Sequence, residues 1–276
     1  MTKVFAICGS LGETSANRAA LDVIQRALVD VGCTVVHDHD LAAIPPLNPD
    51  AVDGPVEAVV EFRHHIAEAD AIVIAAPEYA GSLAGAVKNA LDWVVGTGEL
   101  YRKPVGILSA GTTGGPFARE VLARTLLFQG AHVVAQYGLA APRTKSNQYG
   151  TIVDELTLQE LRGFAHSVLT TVGMDDAALE DLSRRVAARV GVTRSQTAPA
   201  SIAVHAPTAG ALCGVCGVAM EAGRVYGDRG MRWLPDGQHR PIFLTFEVEH
   251  LKVVNWEGLP AQRCRRCHRI EMQIAD

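Results

Sequence analysis

Five short apolar runs, separated by helix-length stretches, constrain this chain more than any other feature. They are Val4–Cys8, Cys33–His37, Ala71–Ala75, Val105–Ser109 and His132–Gln136. The first is continuous rather than alternating and ends in Gly9-Ser10, as expected of a strand covered on both faces. Ser15 is a capping side chain, and it opens a helical stretch reaching about Val31. Ala19, Ala20, Val23, Ile24, Ala27 and Leu28 mark its buried stripe. Further helices are expected over about Pro55–Ala69, where proline suits the first turn, and over Leu83–Val95. Another runs from the Gly-rich turn after Ser109 to about Gln129. Two more lie near Leu158–Val172 and Asp176–Val190.

Strand and helix in this alternation require a parallel sheet with helices on both faces. Five strands fit an α/β, flavodoxin-like doubly wound sheet, whose ligand lies off the carboxyl ends of the strands. The alternation stops near Gly191. A Thr-, Ser-, Ala- and Pro-rich stretch, 192–211, reads as a linker. Residues 212–276 then form a second, small β-rich domain. Strands are expected at Ile242–Val248 and Leu251–Trp256, with turns at Asp236-Gly237 and Glu257-Gly258. A length of 276 residues accommodates two such domains.

The net charge of −5 gives no global reason to expect nucleic-acid or membrane binding. Residues 1–200 carry 16 basic and 22 acidic side chains, and 201–276 carry 9 and 8. The near-neutral tail therefore argues against a nucleic-acid patch there too. No apolar run reaches the ~18 residues of a membrane span, and no signal-peptide pattern follows Met1. A cytoplasmic location is expected.

Between the first strand and its helix lies Gly9-Ser10-Leu11-Gly12-Glu13-Thr14-Ser15-Ala16-Asn17. Small residues let backbone N–H groups converge on an anion, and the helix N-terminus adds partial positive charge. This is neither the G-x-G-x-x-G fingerprint nor a P-loop; a plain capped turn is the alternative. After the third run comes Pro77-Glu78-Tyr79-Ala80-Gly81-Ser82-Leu83-Ala84-Gly85-Ala86-Val87-Lys88-Asn89-Ala90-Leu91-Asp92-Trp93. Together these stretches resemble the NADPH-dependent FMN reductase family, which pairs G-S-L-R-x-x-S-x-N with P-E-Y-N-x-S-x-x-G-x-x-K-N-x-x-D-W. The resemblance spans roughly residues 3–175.

That resemblance implies a flavodoxin-like fold, a homodimer or homotetramer, and a hydride passed from NADPH or NADH through FMN to a small electron acceptor. It assigns Ser10, Ser15 and Asn17 to the FMN phosphate, with Gly9, Leu11 and Ala16 beside them. Pro77, Glu78, Tyr79, Ala80 and Gly81 would lie along the isoalloxazine ring. Ser109, Gly111 and Gly114 would reach the pyrimidine edge. The chemistry is the cofactor's own, so no catalytic acid or base is nominated. Two positions depart from the family pattern: its phosphate-loop Arg is Gly12, and the Asn after P-E-Y is Ala80. Arg18, Arg119 and Lys145 are alternative cations. A salt bridge or helix cap accounts equally well for Glu78 and Lys88, packing or a dimer contact for Tyr79 and Trp93, and a core position for Cys8.

The remaining motif is a pair of C-x-x-C turns, Cys213/Cys216 and Cys264/Cys267. Four thiolates suit a tetrahedral Zn²⁺. Iron in a rubredoxin-like site is the rival, weakened by His268 where a second C-x-x-C-G would have glycine. Covalent haem at Cys264–His268 would leave Cys213 and Cys216 without a role. The nearby Arg263, Arg265, Arg266 and Arg269 would offset the charge of a four-thiolate zinc. Two functional readings follow: an NAD(P)H-dependent, FMN-containing oxidoreductase acting on flavin, quinone or another small acceptor, or a flavin-based redox sensor whose tail binds a partner.

Overall fold

In the computed structural model, the described residues are 1–38, 40–48, 56–192, 204–205, 212, 218–227, 231–235, 259–264, 270–271 and 273–274. The chain forms two units, Met1–Thr197 and Ala198–Asp276. In the first unit each of the five apolar runs is a strand: β1 (Lys3–Cys8), β2 (Thr34–Asp38), β3 (Ala71–Ala75), and two others described below. Helix α1 (Ala16–Asp30) joins β1 to β2, and α2 (Glu57–Glu68) joins β2 to β3. Next come a hairpin of β4 (Glu78–Tyr79) and β5 (Ser82–Leu83), then α3 (Gly85–Asp92). Strands β6 (Pro104–Gly111) and β7 (His132–Ala140) flank α4 (Pro116–Phe128). Helices α5 (Glu155–Leu169) and α6 (Asp176–Arg189) complete the unit.

The sheet order is β2-β1-β3-β6-β7, every pair parallel. This is the flavodoxin-like doubly wound arrangement, with its switch point between β1 and β3. Both faces are covered, which explains why β1 is apolar without alternation. Phe5 and Ile7 pack with β3 and β6 residues under α2, α3, α4 and α6. Val4, Ala6 and Cys8 pack on the other face under α1 and α5. That second face is built from small side chains, including Ala71, Ala75, Ala110 and Ala135. The helices come close there. A Cβ added at Gly106 would lie 2.5 Å from Val168 Cγ2 and 2.9 Å from Phe164 Cζ of α5.

Three expectations shift at element ends. The second helix begins at Glu57 behind Val56, and Pro55, expected in its first turn, lies outside the described residues. Leu83 belongs to the hairpin rather than to the helix, because Ala80 and Gly81 turn the chain first. Both have positive φ, 50° and 68°, the pattern of a type I′ turn. Strands β6 and β7 run two and four residues past the ends expected, since Ala110 and Gly111 pair with Leu139 and Ala140 and so continue the ladder.

In the second unit, β9 (Met220–Gly227), β10 (Met231–Pro235), β11 (Leu259–Cys264) and β12 (Ile270–Glu271) form an antiparallel sheet in the order β10-β9-β11-β12. Strand β8 (Val204–His205), inside the 192–211 stretch, pairs with β13 (Gln273–Ile274). The strands expected at 242–248 and 251–256 lie outside the described residues. None of the described helices is long and apolar enough to cross a membrane.

Strand β7 is an edge strand, and α6 covers part of that edge. The buried Val133 N–H donates to Ser183 Oγ at 2.9 Å. Ser183→Ala removes the acceptor and leaves a buried donor unpaired. A loss of about 1–3 kcal/mol is expected, read as a lower urea midpoint at unchanged slope.

Candidate active site

Parallel strands deliver their carboxyl ends to one edge, so the loops after β1, β3 and β6 emerge side by side. The ladder continues into them. Gly9 N–H donates to Ala75 O at 2.7 Å, and Ala76 N–H to Leu108 O at 2.8 Å. Glycine is required at position 9: a Cβ there would lie 2.2 Å from Val87 Cγ2 and 3.0 Å from Ala75 O.

In the first loop Ser10 is buried, and Leu11, Gly12, Glu13 and Thr14 are exposed. Ser15 caps α1, its Oγ accepting from Asn17 N–H at 3.2 Å. The first turn of α1 holds no acidic residue, so its N-terminal partial charge is unopposed there. Glu13 and Thr14 form a turn between Gly12 and Ser15, and among the described residues the backbone N–H groups of 11–14 make no hydrogen bond. Asn17 behaves differently from a free donor. Its Nδ2 donates to Ala110 O at 3.0 Å and its Oδ1 accepts from Ala110 N–H at 2.9 Å. The side chain is buried and ties α1 to the end of β6.

The second loop crosses to the third through Glu78. Its Oε2 accepts from Phe117 N–H at 2.8 Å and from Ala118 N–H at 3.0 Å. Glu78 thus caps α4 from a distance. Tyr79, Ala80 and Gly81 are exposed at the tip, and Pro77 is buried beneath. Ala80 holds a left-handed φ that Asn tolerates better than Ala.

The third loop is built from close approaches. Gly114 and Gly115 have φ of 77° and 61°. A Cβ at Gly115 would sit 2.0 Å from Ser109 Oγ, and one at Gly114 would sit 3.0 Å from the Gly138 backbone. Gly111 O accepts from Gly114 N–H at 3.2 Å and from Ala141 N–H at 3.1 Å. Ser109 is fully buried, and its hydroxyl has no partner among the described residues. Arg119 lies behind this loop, donating through Nε to Gly114 O at 3.1 Å and through Nη1 to Gln136. Burial lowers its pKa, and the nearby Glu78 works the other way. Of the alternative cations, Arg119 is thus committed to the loop.

The rest of the second motif is scaffold. Lys88 pairs with Asp92 one turn along α3 at 2.5 Å. Asn89 accepts from Leu47 N–H at 2.9 Å and donates to Pro45 O at 2.9 Å; Trp93 Nε1 donates to Pro45 O at 2.8 Å. These bonds fasten the Pro-rich loop to α3. Cys8 is buried, its thiol donating to Ser10 O at 3.6 Å, and burial pushes its pKa up. It is a neutral core residue. A groove of about 770 Å³ lies apart from the three loops, between β7, α5 and α6, where Tyr137 donates to Glu160 at 2.6 Å.

Cys213, Cys216 and Cys267 lie outside the described residues; Cys264 ends β11. Among the described residues, no cluster of three or more His, Cys, Asp or Glu is arranged for a metal ion. Residue patterns alone missed Phe117, and missed Ala110 as the partner of Asn17. Backbone partners leave no side-chain signature. The single hint at Phe117 is Gly114-Gly115-Pro116, a helix start with no cap of its own.

Comparison with known proteins places these features in context. Residues 2–145 match the NADPH-dependent FMN reductase family, and residues 213–276 match a domain of unknown function, DUF6487. An NADPH:quinone oxidoreductase of Arabidopsis thaliana is 33% identical over 174 residues, covering 59% of this chain and 87% of that protein. An NAD(P)H-dependent FMN reductase of Pseudomonas aeruginosa is 42% identical over 137 residues, covering 47% and 72%. Among solved structures, the Paracoccus denitrificans flavoenzyme FerB, an NAD(P)H:(acceptor) oxidoreductase, aligns with a TM-score of 0.51 and 25% identity over 67% of this chain and 99% of its own.

The Glu78 cap makes a direct prediction. Glu78→Ala should cost about 1–2 kcal/mol of stability, the usual worth of an N-cap. Glu78→Gln should cost less, because an amide oxygen still accepts. Thermal melts of the two variants beside the unaltered chain measure the difference.

Proposed function

The chain belongs to the NADPH-dependent FMN reductase family, and on that premise we propose that FMN binds across the three loops at the β1/β3 switch point. The protein is an NAD(P)H-dependent flavin/quinone oxidoreductase. The observation that carries the site reading is the first loop: backbone N–H groups at 11–14 without a partner among the described residues, ahead of a helix with no acidic residue in its first turn. Such a cradle suits a monophosphate. The orphan Ser109 hydroxyl and the glycines packed around it suit the close approach of a flat ring. FMN, when bound, supplies hydride and electron transfer between nicotinamide and acceptor.

The chain's own residues then divide the work. Gly9, Ser10, Leu11, Ser15 and Ala16 form the phosphate loop. Asn17 holds that loop to Ala110 through both ends of its amide. Pro77, Glu78, Tyr79, Ala80 and Gly81 form the second wall, and Ser109, Gly111 and Gly114 the third. In this reading the active species is a homodimer or homotetramer in a reducing, cytoplasmic setting.

The absent family Arg gives the phosphate loop its sharpest test. Space around Gly12 is open, the nearest atom to an added Cβ being Ser10 Oγ at 3.9 Å, and its φ is not left-handed. Gly12→Arg should therefore fit and tighten FMN binding about tenfold through a charge-assisted contact. Quenching of FMN fluorescence on titration with apoprotein reads the change. The visible spectrum of the purified chain, before and after anaerobic NADPH, tests the assignment itself: no bound flavin even after reconstitution would sink it.

For residues 212–276 we propose a four-thiolate zinc site at Cys213, Cys216, Cys264 and Cys267, with iron as the competing metal. The described flanks support it. Leu212 bridges Ala219, Met220 pairs with Cys264, and Arg263 pairs with Ile270. The residues bracketing both C-x-x-C turns thus sit at one end of the β9–β11–β12 ladder. One zinc per chain by elemental analysis is expected, with Cys264→Ser lowering the content. Metal-free, folded protein would defeat the proposal.

A further inference from the structure

Helix α4 begins without a cap of its own. Its N-cap residue is Gly115, no side chain there accepts from the first turn, and that turn holds no acidic residue. Ser, Asp or Glu would ordinarily occupy such positions. Glu78 supplies the missing acceptor from the neighbouring loop, so the first turn of α4 is released from capping. Phe117 stands there, 55% exposed.

An exposed apolar side chain is not by itself informative, and Val29, Val31 and Phe128 are exposed elsewhere. Phe117 differs in two respects. Its own N–H is held by the Glu78 carboxylate at 2.8 Å, so its backbone is fixed. It also belongs to a set: Leu11 and Tyr79, from the other two loops of the same sheet edge, are 53% and 60% exposed. The segments that follow β1, β3 and β6 therefore each present one large, partly or wholly apolar side chain, Phe117 doing so from the first turn of α4. An aromatic ring on a fixed backbone loses little freedom on contact, since only two χ angles remain to be ordered.

We propose that Phe117 is a specificity-determining residue for the electron acceptor, offering an apolar ring face to planar aromatic acceptors such as quinones. The inference rests on the reading of the crevice given above. It adds no covalent step; Phe117 orients the acceptor while electrons follow the established route. The chemistry it favours is a flat, weakly hydrated ring, and a compact, strongly hydrated anion gains nothing from it.

The test uses the full-length, FMN-loaded enzyme with two acceptors, 1,4-naphthoquinone and ferricyanide. Phe117→Ala should raise the ratio of the quinone KM to the ferricyanide KM about two- to twelvefold, the size of a lost aromatic contact. Phe117→Tyr should restore most of it, because the ring is kept. A ratio that moves less than twofold overturns the proposal. So does a change in solution mass by light scattering with both acceptors affected alike, which would make Phe117 a contact between copies. Anaerobic reduction by NADPH is measured first, without acceptor. If the unaltered chain's flavin is not reduced, the crevice reading falls and takes this inference with it.

Discussion

Two backbone hydrogen bonds beyond the strand ends hold the working edge of this protein together. Gly9 N–H to Ala75 O and Ala76 N–H to Leu108 O carry the parallel ladder into the loops. Without them the loops after β1, β3 and β6 would leave the sheet in no fixed relation. With them, each loop starts in register with its neighbour. Glycine at position 9 follows directly, because Val87 and Ala75 occupy the space a side chain would need. So does the burial of Ser10 and Pro77 beside it.

The loops are then cross-braced by side chains whose targets are backbone atoms. Asn17 reaches Ala110, Glu78 reaches Phe117 and Ala118, and Arg119 reaches Gly114. Each brace uses a polar group that a motif reading would assign to a ligand. Here those groups satisfy buried or helix-terminal backbone atoms, which would otherwise be costly to leave unpaired. What remains for a ligand is mainly backbone N–H groups, an arrangement that suits a cofactor bringing its own reactivity.

Much of the fold was legible because its signals are local and additive. Uninterrupted apolar runs at Val4–Cys8 and Ala71–Ala75, and the periodic stripe of α1, state strand, helix and burial within a few residues. The hairpin at Glu78–Leu83 was not legible. It is two residues per strand, too short for periodicity, and its turn carries Ala80 where Asn would have announced it. The helix-cap reading of Glu78 was available from the sequence, but which helix it caps, and the roles of Asn17 and Asn89, were hidden for another reason: the partners are main-chain atoms 39, 93 and 42 residues away, and backbone atoms have no sequence identity. In the K-N-x-x-D-W half of the family motif, Asn89 and Trp93 fasten the Pro-rich loop and Lys88 pairs with Asp92.

The reciprocal Asn17–Ala110 pair also sets an order of events. Its partners are separated by 93 positions, so the contact is bought with a long loop closure and cannot nucleate folding locally. During synthesis, the first loop and helix α1 exist well before Ala110 does. The loop after β1 therefore cannot reach its braced form until β6 has been made and has joined β3. The crevice is a late product of the chain's own assembly, and a cofactor that recognises only the braced form would bind finished molecules in preference to partly folded ones.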